Sequence, residues 1–120
     1  MLLPDFYKIN NIDSSDSGTT FNIRLNPDHD IFKGHFPNQP VLPGVCSLQI
    51  IKECAQQLLN TKLQYKQIIL CKFLRYIDPV QSNEITLNIS FKEKEGELPQ
   101  MQANGKCGEF DFIKVKAIFA

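Results

Sequence analysis

One stretch of this sequence concentrates residue types suited to chemistry: Asp30-Ile31-Phe32-Lys33-Gly34-His35-Phe36-Pro37-Asn38-Gln39-Pro40-Val41-Leu42-Pro43-Gly44-Val45. Prolines at 37, 40 and 43 each fix φ and restrict the residue before them, so the segment is stiff. A stiff loop holds His35 in one place, as general base catalysis requires. Gly44 stands where a helix begins. A backbone N–H at that position has no intrahelical partner and, aided by the helix dipole, can polarise a carbonyl oxygen. An imidazole beside a helix N-terminus suits removal of a proton next to a carbonyl. The same residues also suit a purely structural loop, because histidines in proline-rich loops often serve packing and many helices start after Pro-Gly. His29, in the polar run Pro27-Asp28-His29-Asp30, reads as solvated.

The rest of the chain must position that loop. Val45 to about Asn60 contains no proline or glycine and reads as the one long helix. At ~100° per residue, Leu48, Ile51, Cys54, Ala55, Leu58 and Leu59 share a broad face, and Gln49, Lys52, Glu53, Gln56 and Asn60 share the other. That polar face is too populated for a fully enclosed helix, so part of it should line a cavity or an interface. Phe21, Ile23 and Leu25 alternate with polar residues, as do Ile85, Leu87, Ile89 and Phe91, and again Ile113, Val115, Ala117 and Phe119. This is the period of half-buried strands. Phe110 and Phe112 fall in the opposite phase, which predicts a bulge near 112–113. A weaker strand is expected over Phe6–Ile12, with Asp13–Gly18 as a turn, and the apolar run 66–77 reads as a central strand. Gly96, Pro99, Gly105 and Gly108 read as breaks between the later strands. One long helix with five or six strands predicts an α+β fold, a curved antiparallel sheet wrapped round a helix, as a single domain over residues 1–120.

Composition narrows the function. Lysine plus arginine number 13 and aspartate plus glutamate 13, so the formal net charge is zero. No basic excess exists to neutralise phosphates, which argues against nucleic-acid binding. No run of 18 apolar residues occurs, so no membrane span is expected, and the first residues lack the pattern of a signal peptide. A cytoplasmic protein, free to associate with other chains, is the expectation. The four cysteines at 46, 54, 71 and 107 form no C-x-x-C pair and only two histidines are present, so no metal site is expected. They read as packed thiols; for Cys46 a helix N-terminus that lowers its thiol pKa is the competing reading.

The run GHFPNQPVLPGV resembles the G-H-F-P-G-x-P-x-x-P-G-V signature of the (3R)-hydroxyacyl-carrier-protein dehydratases, which have the hotdog fold. DIFKGHF, CAQ at 54–56 and CKFLRYIDPV resemble neighbouring parts of the same family, so the similarity covers most of the chain. The resemblance implies a curved antiparallel sheet round a central helix. It also implies dimers formed edge to edge, some assembling further into hexamers as trimers of dimers, with sites shared across the interface. His35 would take the C2 proton of a 3-hydroxyacyl thioester to give the trans-2-enoyl product of fatty-acid or related polyene synthesis. The Gly44 N–H would bind the thioester oxygen, with Phe36, Pro43 and Val45 as substrate-contacting neighbours. A carboxylate from the partner's helix would help the C3 hydroxyl leave as water. No metal or organic cofactor is implied, and the substrate would arrive on the phosphopantetheine arm of an acyl carrier protein. Lys33, Lys72 and Arg75 could meet such an acidic carrier.

The sequence departs from the signature in two places. The family's Glu or Asp stands fourteen residues after the histidine, and the residue there is Gln49. An amide hydrogen-bonds but does not transfer a proton as a carboxylate does. The family's glutamine four residues later is here Glu53, so the two residue types have exchanged places one helical turn apart, with Cβ atoms ~5–6 Å from each other. Glu53 is therefore a possible substitute acid, or a solvated helix carboxylate. Asn38 replaces a glycine and tolerates left-handed backbone better than most residues. Three functions remain: an active dehydratase; a non-catalytic or partner-dependent subunit, such as a heterodimer with an active paralogue that supplies the acid; or an acyl thioesterase, against which the loop argues.

Overall fold

The computed structural model describes residues 5–34, 40–93, 96 and 98–120. The chain runs β1 (Tyr7–Ser15), β2 (Gly18–Leu25), α1 (Asp30–Gly34), α2 (Gly44–Leu59), β3 (Tyr65–Phe73), β4 (Glu84–Lys92), β5 (Gln100–Cys107) and β6 (Phe110–Phe119). The strands form one six-stranded sheet in the order β1-β2-β4-β5-β6-β3, with every neighbouring pair antiparallel. This is the hotdog architecture the sequence implied, with α2 as the main helix. Inward-facing residues of β2, β4, β5 and β6 join Ile50, Ile51, Cys54 and Ala55 of α2 in one core.

Helix α2 begins at Gly44 and stops where Asn60 takes the left-handed conformation at φ 53°, its N–H donating to the Gln56 carbonyl. A short polar side chain accepts that conformation readily, so the stop is built into the sequence. The buried stripe is rotated from the expected one. Cys46, Ser47 and Ile50 are buried along with Ile51, Cys54 and Ala55, while Leu59 is exposed.

Three expectations about strands need correcting. The run 13–18 is not all turn: β1 continues through Ser15, with Asp13 paired to Thr20 and Ser15 to Gly18, and the turn is only Asp16-Ser17. Backbone pairing at a sheet edge needs no apolar side chain, so the polar run hid the strand. The run 66–77 is not a central strand: it ends at Phe73 and forms the sheet edge beside β6. Strand β5 was hidden by Gly105, which reads as a breaker but sits inside the strand with Met101 and Ala103, all three buried.

Gly105 is required there by the predicted bulge. The β5–β6 register slips between Gly105 and Lys106, so that Gly105 faces Ile113 and Lys106 faces Asp111, leaving Phe112 as the extra residue. A Cβ on Gly105 would lie 2.7 Å from the Phe112 ring and 2.7 Å from Ile113 Cγ2. Gly105→Ala is therefore expected to destabilise the fold by about 1–3 kcal/mol, as overpacking of a filled core does. A thermal melt should show a clearly lowered midpoint, and an unchanged midpoint would mean that the bulge yields freely.

Candidate active site

Pro43, with φ −65° and ψ 142°, is the N-cap of α2, and its carbonyl accepts from the N–H groups of Cys46 at 3.0 Å and Ser47 at 3.2 Å. Gly44 is the first helical residue, a position whose N–H has no acceptor within the helix. The loop is tied down by the Leu42 N–H, which donates to the Ile77 carbonyl at 2.9 Å. Across from it, the Leu74 N–H donates to the Phe112 carbonyl at 2.9 Å, anchoring the chain after β3. Between these anchors lies a cleft of about 550 Å³, lined among others by Pro43, Gly44, Ser47, Phe73, Arg75 and Tyr76. The Phe73 ring lies against Gly44 so closely that a Cβ there would stand 2.7 Å from Cζ. A side chain at position 44 would have to push the Phe73 ring aside. The Arg75 guanidinium stacks 3.7 Å over the Phe110 ring.

Of the residues singled out in the sequence, Pro43 and Gly44 line this cleft. Val45, on the same turn, is 75% exposed and is not among the lining residues. His35, Phe36 and Asn38 lie outside the described residues. Of the three basic residues, only Arg75 lines the cleft.

Gln49 and Glu53 lie elsewhere on α2, and neither lines the cleft of its own chain. They bond to each other: Gln49 Nε2 donates to Glu53 Oε2 at 2.7 Å. The other carboxylate oxygen, Oε1, accepts from the Tyr7 hydroxyl of β1 at 2.6 Å. A carboxylate only accepts, so its partner atom on Gln49 must be the NH₂ group and the amide orientation is fixed. Tyr7 is buried; desolvation, then the Glu53 hydrogen bond, push its pKa well above the ordinary value of 10.0. Tyr7 stays a neutral donor throughout the physiological range. Glu53 is therefore neither in bulk solvent nor unsupported; it is the acceptor at the centre of a Tyr7–Glu53–Gln49 chain.

Cys46 packs as expected, whereas His29 is not left to solvent. Cys46 is buried and burial raises its thiol pKa, against the lowered value a helix N-terminus would give; Cys54 is raised from 9.0 to about 12, again chiefly by burial. Both are packed thiols. His29 is not solvated: its Nδ1 accepts from the Ile31 N–H at 3.1 Å, capping α1, and its ring meets Phe6 edge-on at 5.1 Å. Tyr7, Phe73, Tyr76 and Ser47 did not stand out as site residues in the sequence. Only Ser47 had a usable signal, standing one helical turn after Gly44.

An antiparallel six-stranded sheet on one long helix defines a protein of the hotdog class. The ApeI-like family, described as ApeI dehydratase, matches residues 11–108, and the chain belongs to that family. Among solved structures, "The Dehydratase Heterocomplex ApeI:P from Xenorhabdus doucetiae" is similar at 24% identity and a TM-score of 0.79, over 94% of this chain and 96% of that one. An uncharacterized protein from Erwinia carotovora subsp. atroseptica matches at 22% identity and a TM-score of 0.64, over 94% and 92% of the two chains. An HP0420-homologue from Helicobacter felis matches at 12% and 0.64, over 91% and 84%. No curated protein matches the sequence. Among the described residues, no helix is long and apolar enough to cross a membrane.

Proposed function

We propose that this chain is a dehydratase subunit acting on (3R)-hydroxyacyl thioesters of an acyl carrier protein, and that its catalytic acid comes from a partner subunit. His35 takes the C2 proton and the Gly44 N–H holds the thioester oxygen at the mouth of the cleft. The observation that carries the partner dependence is the bonding of Glu53. Its two oxygens are engaged by Tyr7 and Gln49 of its own chain. Position 49 therefore presents an amide, and hydroxide leaves poorly without a proton donor. The similar ApeI:P structure is itself a heterocomplex, which supports this reading. Incubation with a 3-hydroxyacyl carrier protein, watched for the enoyl product, tests it. The chain alone should turn over slowly, and addition of a hotdog subunit bearing the acid should raise the rate by about 10²-fold or more. Full activity of the isolated chain would contradict the partner requirement; no activity in either mixture would contradict the dehydratase reading.

The shared site needs two chains, and the two edges of the sheet differ. Strand β1 exposes Asn10, Asn11, Asp13, Ser14 and Ser15 around a single apolar residue, Ile12, a mainly polar edge that resists pairing. Strand β3 and the residues after it expose Ile68, Ile69, Phe73, Leu74 and Tyr76, the last at 89%. Association is therefore expected through β3, as a homodimer or with the acid-bearing partner. Light scattering at micromolar concentration should give at least a dimer, and Ile69→Lys should shift it to monomer while circular dichroism shows the strands and helix retained. A monomeric wild type, alone and mixed with the partner, would remove the shared site.

A further inference from the structure

Most of the cleft wall is apolar, but Ser47 interrupts it. Ser47 is only 5% exposed, yet among the described residues its hydroxyl has no hydrogen-bond partner. It is not sealed off: the sole sealed and unpartnered side-chain oxygen among the described residues is Oδ1 of Asn104. The Ser47 hydroxyl therefore opens into the cleft. No protein group bonds it, so alanine, nearly the same size, would cost the fold no internal hydrogen bond. The sequence keeps a polar group where the fold gains nothing from it.

Its placement says what it serves. Helical Cα–Cβ bonds tilt toward the N-terminus, so Ser47 leans over the turn that begins at Gly44, one turn earlier. The Gly44 N–H points out of the same end of the helix, and both residues line the cleft. We propose that the Ser47 hydroxyl is a second hydrogen-bond donor, beside the Gly44 N–H, to the carbonyl oxygen of the bound thioester. This rests on the dehydratase reading and deepens it. When the C2–H bond gives its proton to His35, the electron pair spreads onto the thioester oxygen. It returns to form the C2–C3 double bond as the C3–O bond breaks and that oxygen leaves, protonated, as water. Two fixed donors at the thioester oxygen stabilise the charge at the moment it develops.

Ser47→Ala separates this role from a structural one. The unfolding midpoint should be little changed, because no protein hydrogen bond is lost. In the reconstituted dimer, kcat should fall by about 10²-fold with KM little changed, as for loss of one oxyanion donor. Crotonyl-pantetheine labelled with ¹³C at the carbonyl gives an independent readout. Its bound C=O stretch should lie at lower frequency in the wild type than in Ser47→Ala. Equal frequencies and equal kcat, with the wild type binding the thioester, would overturn the role of Ser47 alone. Failure of the wild-type dimer to bind or turn over the thioester would overturn the dehydratase reading, and the Ser47 role with it.

Discussion

Alanine at position 35 is expected to lower dehydration in the assembled dimer by about 10²–10⁴-fold, the usual contribution of a general base. His35 is followed by prolines at 37, 40 and 43, and stands nine residues before Gly44, the start of α2 and of the cleft. The stability of the variant should be close to wild type, as expected of a residue that serves the chemistry and not the packing. Initial rates of enoyl formation, beside a thermal melt, check both statements. The wild-type rate should also fall on acidification, because only the neutral imidazole can accept the C2 proton, and this limb should vanish in the residual activity of the variant. Wild-type turnover by His35→Ala would make the histidine structural and would falsify the mechanism built on it.

The parts of this molecule that could be read from the sequence are those set by local period. Helix α2 was expected over 45–60 and occupies 44–59, because an uninterrupted amphipathic stretch bounded by Pro-Gly and by an asparagine suited to left-handed backbone leaves little choice. Strands β2, β4 and β6 follow their alternation, and the phase slip at Phe112 is a real bulge. What could not be read depends on neighbours far away in the chain. Whether Gly105 ends a strand or sits inside one is decided by the Phe112 ring, on another strand. Whether 65–73 is central or at an edge is a matter of strand order, which period does not encode. The site follows the same division. The Pro43-Gly44 start could be read from local signals. The environment of Glu53 could not, because Tyr7 reaches it across 46 positions of sequence. A helix carboxylate looks solvated until the strand that covers it is known.

That contact also sets what happens when the family's residue is restored. Gln49→Glu would place a second carboxylate where the amide now stands 2.7 Å from Glu53 Oε2. Two carboxylates so close cannot both ionise, so the pair keeps one proton, with one apparent pKa raised well above the ordinary ~4.3 of glutamate. Two results follow. A carboxylic acid still protonated near neutral pH now stands at the family's acid position, and dehydration by the chain without a partner should rise by about 10²-fold or more. Stability should respond in the opposite sense. In the unfolded chain both groups ionise freely, so the unfolded state sheds its protons first. The variant should match wild type most closely below ~4.3 and lose stability as pH rises through the raised value of the pair. The double variant Gln49→Glu, Glu53→Gln separates these effects. It keeps one amide and one carboxylate in contact, with Tyr7 able to donate to the carbonyl oxygen of the amide introduced at position 53. Stability should return to near the wild-type level with its pH dependence, while the acid stays at position 49. Glu53→Gln alone, with the Gln49 amide turned to accept from the new NH₂ group, should change the rate of the dimer little. Stability scans between pH 4 and 8 and enoyl-forming rates for all four proteins form a double-mutant cycle. If Glu53→Gln instead abolishes turnover while the fold persists, Glu53 is itself the acid, and the assignment of that role to a partner subunit fails.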